Sequence, residues 1–465
     1  MSVTLLFLSF FAKFLAFFSC LTKRGSGTAL PGYIVETKFI NILAKFQHEY
    51  EEIIFISGTN GKTTTRAVLV EMYENSGFRV CTNRGGANII RGIASSILLD
   101  LDIKAKPKSQ ILILEVEEAS LPILTLYLQP KILILTNLFR DQLDAYAEID
   151  KTLSYFEETL VNLGANEKEP LEVSNLPILE GFTQDGFYTQ KLVKAAKFTL
   201  YLNYDDKKLL GLLDKFEIPS VGFSLDILES EKPKYEQAGR VISMPDETYL
   251  ASNIVSKNLK TSFTVKMNLD KELLIETELP GIYNIYNIFV AFLVGYKKFG
   301  ERVLPTIKKF QPVFGRGENI EINPSVSTKM FLVKNPAGFD QVLQLLASNF
   351  DRQEINLILA INDKIADGKD ISWLWDTDFE SFFGKQKVNK VLTTGSRGLD
   401  MLLRVEYAGL ETNLNNFVED QSKIIEFLKS TSRPTMILAT YTAMLEIRKL
   451  LSKEIKLAGI NSQGN

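Results

Sequence analysis

Short apolar runs recur along the first third of the chain, each bounded by glycine, proline or charge. Ile53–Ile56, Ile111–Leu114 and Ile132–Leu135 carry no polar residue, the pattern of strands buried on both faces of a sheet. Helical patterns separate them. One leads from Phe39 to Tyr50, one follows the first run to about Ser76, and one passes through Ala94 to Leu99. Val80–Thr82 reads as a further strand. Strands alternating with helices predict a mostly parallel α/β sheet covered on both sides.

Residues 165–275 mix charge runs with short alternating segments, such as Thr261–Val265 and Leu273–Glu278, and predict a small β-rich portion. From about 325 the alternation returns. Met330–Val333, Ile355–Ile361, Val388–Leu392 and Thr435–Leu438 predict the strands of a second α/β unit. Residues 1–22 are strongly apolar, interrupted by Lys13 and followed by Lys23-Arg24. The run before Lys13 is too short to span a bilayer, and a signal peptide carries its positive charge first, not last. Three readings stand: a helix packed on the protein, a membrane-surface helix, or an anchor. Gly25–Gly32 reads as a turn-rich linker.

The chemistry concentrates where the first apolar run ends, in G-T-N-G-K-T-T from Gly58 to Thr64. Strand, glycine turn, Lys-Thr and helix make a phosphate cradle. Backbone N–H groups of Gly58, Thr59, Asn60 and Gly61 and the helix N-terminus face the anion, Lys62 adds a point charge, and Thr63 or Thr64 offers a hydroxyl for Mg²⁺. The 83–88 loop, Glu115 and the 136–144 loop also follow strands, where ligands of parallel sheets bind. Glu115 is either a Mg²⁺ ligand or a solvated strand-end carboxylate; Glu117, Glu118, Asp141 and Asp144 compete with it. Asn284 and Asn287 lie one helical turn apart and read as amides reaching a nucleotide or as a polar helix face. Arg316, flanked by Gly315 and Gly317, suits a phosphate or ribose contact. The acidic stretch Asn362–Glu380 holds both tryptophans, Trp373 and Trp375, as pins on the core or as a platform for a partner.

With 465 residues, two or three domains are expected. A net charge of −3 gives no basic excess, so nucleic acid is not an expected partner. Two cysteines, Cys20 and Cys81, cannot make a disulfide framework or a four-cysteine zinc site, and fit a reducing, cytoplasmic compartment. The one histidine, His48, precedes the first strand. Any Cys/His nucleophile must therefore come from a second protein.

Taken together, G-T-N-G-K-T-T-T, Thr136–Asp144 (T-N-L-F-R-D-Q-L-D), G-I-Y-N-I-Y-N, K-N-P-A-G-F and N-D-K-I-A-D-G-K-D-I-S-W-L-W-D resemble the MurT family within the Mur ligase superfamily. The first motif is common to Mur ligases; the last two are much more specific. The resemblance implies a Mur central ATPase domain and a Rossmann-like C-terminal domain. The expected divisions are an apolar helix and linker at 1–35, the ATP-binding domain at 36–318, variable over 180–260, and the C-terminal domain at 319–465. It implies ATP- and Mg²⁺-dependent amidation of the D-glutamate α-carboxyl of the lipid II stem peptide. The ammonia comes from a GatD-like glutaminase subunit, whose triad Asp370 completes. Lys62, Thr63 and Thr64 then bind phosphates, Thr63 and Glu115 hold Mg²⁺, Asn284, Asn287 and Arg316 serve the nucleotide, and Lys334 stands where amino-acid-adding relatives keep a histidine. Gln142 likewise replaces a histidine of those ligases. Such a chain works in the cytoplasm, with the inner face of the membrane as its peripheral station.

Two departures stand out. The four-cysteine zinc ribbon of many MurT proteins has no cysteines here, so no zinc is expected. The N-A-D-D-P turn is represented only by Ser174-Asn175-Leu176-Pro177. An amino-acid-adding ligase of the Mur or folylpolyglutamate type, or a non-catalytic ATP-binding scaffold, are the rival readings.

Overall fold

The computed structural model describes residues 3–22, 29–83, 87–138, 146–167, 198–227, 243–257, 260–268, 271–311, 315–350 and 353–455. Several expected features lie outside them: Arg84–Gly86, residues 139–144 with Gln142, Ser174–Pro177, and the side chains of Cys20 and Arg316. The chain forms two compact units, the first drawn from residues 1–138, 148–225 and 235–250, the second from 139–147, 226–234 and 251–465. The expected boundary at 318–319 lies inside the second.

In the first unit, helices α1 (Val3–Thr22) and α2 (Ala29–Lys38) precede a 3₁₀ segment, Ile40–Phe46, where the pattern suggests a longer helix. Then follow β1 (Glu52–Ser57), α3 (Lys62–Asn75), β2 (Val80–Thr82), α4 (Ile90–Asp100), β3 (Ile111–Glu115), α5 (Leu121–Thr125), β4 (Ile132–Leu135) and α6 (Tyr146–Asn162). Two-residue strands β5 (Asn166–Glu167) and β7 (Phe216–Glu217) pair antiparallel. Between them lie β6 (Thr199–Asn203), α7 (Lys207–Leu210) and α8 (Leu212–Lys215), and β8 (Ser220–Leu225) follows. The large strands run parallel in the order β8-β6-β4-β1-β3-β2. Ile53, Phe55, Leu112, Leu114, Leu133 and Leu135 share one core with residues of α1, α4, α5 and α6. Ile54 and Ile56, also buried, point to the opposite face by the strand's two-residue period.

Of the linker expected over Gly25–Gly32, residues 25–28 lie outside the described residues, and the remainder is helical, because α2 begins at Ala29 and includes Gly32. A Cβ on Gly32 would sit 1.7 Å from the Arg91 carbonyl oxygen. The glycine lets α2 close on α4; it does not make a turn.

The second unit carries an antiparallel meander, the expected β-rich portion. It comprises β9 (Glu247–Lys257, which enters from the first unit), β10 (Lys260–Asn268) and β11 (Lys271–Thr277). Helices α9 (Ile282–Phe299) and α10 (Leu304–Lys309) follow. A five-stranded sheet in the order β12-β13-β16-β14-β15 comes next. It comprises β12 (Arg316–Asn319), β13 (Thr328–Leu332), β14 (Ile355–Ala360), β15 (Val388–Thr394) and β16 (Thr435–Ala439). All its pairs are parallel except β12 with β13. Alternation along the strands builds two cores. Leu357, Leu359, Met436 and Leu438 face α11 (Pro336–Asn349), α12 (Phe379–Lys385) and α13 (Gly398–Tyr407). Ile358, Ala360, Ile437 and Ala439 face α14 (Ser422–Ser430) and α15 (Tyr441–Leu451).

Candidate functional site

In the first unit β1 lies between β3 and β4, so the loops leaving the three strands meet at a topological switch point, the usual ligand crevice of such sheets. Gly58 and Gly61 have φ of 122° and 89°, a region that L side chains avoid. A Cβ on Gly58 would lie 2.4 Å from Thr136 Oγ1 and 2.8 Å from the Asn137 carbonyl oxygen. Those two residues, just after β4, grip the loop. The Asn137 carbonyl accepts the Thr59 N–H at 3.0 Å. Its Oδ1 accepts the Asn60 N–H at 2.9 Å, and its Nδ2 donates to the Asn60 carbonyl at 3.0 Å. Thr136 Oγ1 donates to the same carbonyl at 2.6 Å. Helix α3 begins at Lys62 with Gly61 at its N-cap and no side-chain cap, leaving its positive end to an anion. Lys62 Nζ pairs with Glu118 Oε1 at 2.7 Å and donates to the Gly58 carbonyl at 2.5 Å.

Glu115 ends β3, 3% exposed. Its main chain is held from both sides by Asn83, whose Oδ1 accepts its N–H at 3.0 Å and whose Nδ2 donates to its carbonyl at 2.8 Å. One carboxylate oxygen accepts the Thr63 hydroxyl at 3.0 Å; the other faces Arg66 Nε at 3.4 Å. Thr63 and Arg66, three apart on α3, share a helix face. Burial pulls the Arg66 guanidinium down from its usual range and Glu115 pushes back. Thr64 and Thr65 bury hydroxyls with no hydrogen-bond partner among the described residues. Adjacent ligands of an octahedral Mg²⁺, each at about 2.1 Å, stand roughly 3.0 Å apart. The Thr63–Glu115 separation fits that cation. Among the described residues no cluster of three His, Cys, Asp or Glu could hold a metal ion by itself, so such an ion would need water or phosphate oxygens as well.

The remaining expected residues belong to the second unit. Asn284 and Asn287 stand in the first turns of α9. The Asn284 amide turns back to the Pro280 carbonyl at 2.7 Å, and Asn287 is buried. Arg316 opens β12, and Lys334 is exposed just before α11. Asp370 is exposed; its Oδ1 accepts both the N–H and the hydroxyl of Ser372, at 2.8 and 2.6 Å. These bonds hold its carboxyl below the usual carboxylate range. The loop from Asn362 to Asp370 is pinned at the C-terminal edge of the sheet. Buried Asn362 donates to Thr442 and Glu446 and accepts from the Ser396 N–H, and Asp367 accepts the N–H and hydroxyl of Thr442. The tryptophans differ: Trp373 is buried against Phe339, the pin on the core, whereas Trp375 is half exposed and packs on Tyr407 and the Arg404 guanidinium.

The sequence places the loops of Asn83 and of Thr136–Asn137 at the site without giving these residues a task, misses Arg66, and gives Glu118 no role with Lys62. For Arg66 the signal is its spacing, one turn beyond Thr63; for Asn83 and Asn137 it is their place just after a strand.

Comparison with known proteins adds two families and several relatives. The family described as Mur ligase middle domain matches residues 56–168, and MurT ligase C-terminal matches residues 332–444. The chain is 29% identical over 446 residues to the lipid II isoglutaminyl synthase (glutamine-hydrolyzing) subunit MurT of Streptococcus pneumoniae, covering 93% of this chain and 94% of the relative. It is 27% identical over 392 residues to the subunit of the same name from Staphylococcus aureus, covering 83% and 84%. MurF from Acinetobacter baumannii superposes with a TM-score of 0.61 at 12% identity, covering 92% of this chain and 79% of that one. Folylpolyglutamate synthase from Thermotoga maritima gives 0.57 at 14%, covering 90% and 93%. At these identities the structural likeness is one of fold.

Proposed function

The chain belongs to the MurT family of the Mur ligases, and we propose from that premise that it is the ATP-dependent synthetase subunit of a lipid II isoglutaminyl synthase. The γ-phosphoryl group of ATP passes to the α-carboxylate of D-glutamate in the stem peptide. Ammonia then attacks the acyl phosphate, phosphate leaves, and D-isoglutamine remains. The ammonia is released from glutamine by a separate GatD-like glutaminase subunit.

Phosphoryl transfer to a carboxylate needs charge neutralisation more than a base. In this reading the N–H groups of Gly58 to Gly61 and the start of α3 receive the phosphates, with Lys62 exchanging the Glu118 carboxylate for phosphate oxygens. Thr63 and Glu115 hold Mg²⁺, which supplies charge neutralisation at the phosphates when bound. Arg66 and Asn83 fix Glu115 from the sides that the cation does not use. Asn284, Asn287, Arg316 and Lys334 are assigned to the nucleotide on the resemblance. Asp370, kept anionic by Ser372, orients the partner's imidazole as third member of its triad. No zinc takes part. The subunit works in the cytoplasm at the inner face of the membrane, where lipid II is displayed.

The observation that carries this reading is a division of chemistry. A complete phosphate loop with Lys62, Thr63 and Glu115 occurs in a chain whose one histidine cannot furnish a glutaminase triad, while Asp370, held by Ser372, offers an oriented carboxylate to solvent. The test is amidation of lipid II by this protein with its glutaminase, comparing wild type with Asp370→Asn, on glutamine and on ammonium. Asp370→Asn should lose the glutamine reaction and keep the ammonium reaction. Wild type that uses neither nitrogen source, yet couples an amino acid to a muropeptide, would overturn the assignment in favour of an amino-acid-adding ligase.

A further inference from the structure

We propose that the outer face of α1 and the neighbouring 102–108 loop form a docking surface for an anionic lipid bilayer. The proposal deepens the reading above by assigning how the subunit meets a lipid-linked substrate, and it stands on separate residues.

At about 100° per residue, Leu5, Leu8, Ser9 and Ala12 fall on one side of α1, and all four are buried. Ser9 donates to the Leu98 carbonyl at 3.1 Å, which fixes this side against α4. Phe7, Phe10 and Phe14 fall within about 60° of one another on the opposite side, and are 65%, 73% and 54% exposed. Phe7 stacks on Phe11. The helix is thus held by one face and presents a phenylalanine row on the other. No described helix is long and apolar enough to cross a membrane, so the geometry suits a helix lying in the interface.

The adjoining loop has the complementary chemistry. Lys13, on the flank of α1, donates to the Leu101 carbonyl. Two residues on, Ile103 is 89% exposed, the tip of a tight turn closed by the Leu101–Pro107 bridge. Lys104, Lys106 and Lys108 are exposed around it. The nearby acids bond to groups of the loop and of its neighbours. Asp102 Oδ1 accepts the N–H groups of Lys104 and Lys106, at 2.7 and 2.9 Å. Asp100 accepts from Ser109 and Tyr50. The loop therefore shows the lysine heads and an isoleucine to solvent, and Lys23-Arg24 follow α1 in the sequence. Lysine is depleted from the cores of protein interfaces, whereas an aromatic row beside lysines is the composition of a bilayer-surface element. Anionic headgroups match the lysines, and the acyl boundary matches the rings and Ile103.

Vesicle flotation of the purified full-length protein tests this, with phosphatidylcholine vesicles with and without phosphatidylglycerol. Wild type should float with the anionic vesicles and be released by salt. Phe7→Ser/Phe10→Ser/Phe14→Ser should lose at least about tenfold in partitioning. Each of Lys104→Ala, Lys106→Ala and Lys108→Ala should lose roughly fivefold. All should keep wild-type circular dichroism and amidation of a lipid II analogue with a short, water-soluble carrier. Wild type that stays unbound, or a triple phenylalanine variant that floats as wild type does, overturns the proposal. So does a phenylalanine variant whose only change is conversion of a dimer to a monomer, which would make the face a contact between copies. Flotation that persists in a protein unable to amidate the soluble analogue would sink the functional reading and leave the docking surface standing.

Discussion

Asn137→Ala is the sharpest probe of how the phosphate loop is held. The buried side chain makes two bonds to one residue of the loop, accepting the Asn60 N–H at 2.9 Å and donating to the Asn60 carbonyl at 3.0 Å. Alanine removes both and keeps the main-chain bond from Thr59. At about 0.5–1.5 kcal/mol net per bond, the loop conformation loses about 1–3 kcal/mol. Since 1.4 kcal/mol is a factor of ten, the phosphate-ready loop loses between about fivefold and 150-fold in relative population. Affinity for ATP falls by up to that factor, because the nucleotide must first rebuild its own cradle. Titration calorimetry with Mg²⁺ and a non-hydrolysable ATP analogue reads the affinity, and thermal unfolding reads the stability. Asn137→Asp should not rescue, because a carboxylate sets an acceptor against the Asn60 carbonyl. An unchanged dissociation constant, within about twofold, combined with a lowered melting temperature would refute the reasoning. Asn137 would then stabilise the sheet end without shaping the loop.

Two further outcomes follow from buried charge. Burial pushes the Asp206 carboxyl up to about 7, although the N–H groups of Leu138, Leu209 and Lys208 pull the other way. A carboxyl raised on folding binds its proton more tightly in the folded state, so its stabilisation is full below the ordinary carboxylate range and is lost as pH rises towards about 7. Urea unfolding from about pH 4 to pH 8 should show stability falling and then levelling, and Asp206→Asn should flatten the slope; an unaltered slope in the variant assigns it to other groups. Arg404, buried, donates to the Leu374 and Thr377 carbonyls and to both oxygens of Glu380. Arg404→Ala should cost roughly 2–5 kcal/mol in urea unfolding, with Arg404→Lys recovering only part because ammonium lacks the planar fork. A loss below about 0.5 kcal/mol would mean that water replaces the guanidinium.

Much of the fold is legible because parallel strands buried on both faces must be apolar throughout. Ile53–Ile56, Ile111–Leu114 and Ile132–Leu135 announce themselves for that reason. Glycine is where the pattern misleads. Gly58 and Gly61 do have the positive φ that a turn reading assumes, but Gly32 lies within a helix and serves close approach to Arg91. From sequence alone the two uses look the same, since both rest on a missing Cβ.

The candidate site is legible to the extent that a residue's own chemistry names its task. A lysine and threonines after a glycine turn, or an acid at a strand end, need no partner to be noticed. The tasks of Asn137 and Asn83 are hidden by the same logic, although their loops are marked by position: an amide can bond to any peptide group. Their tasks exist only once the strand order brings Asn137 to Asn60 and Asn83 to Glu115. Hydrophobic periodicity fixes the faces of a strand but not its neighbours, so the order β4-β1-β3 is not in the pattern. Glu118 shows the consequence most plainly. Its residue type makes it a competitor for the cation, yet the fold sets it 2.7 Å from Lys62. With Lys62 as the proposed phosphate ligand, an acid holding it occupies that lysine's own binding mode, and phosphate would have to displace it. Glu118 thus belongs to the loop's resting electrostatics, a role that only the juxtaposition of β1 and β3 creates.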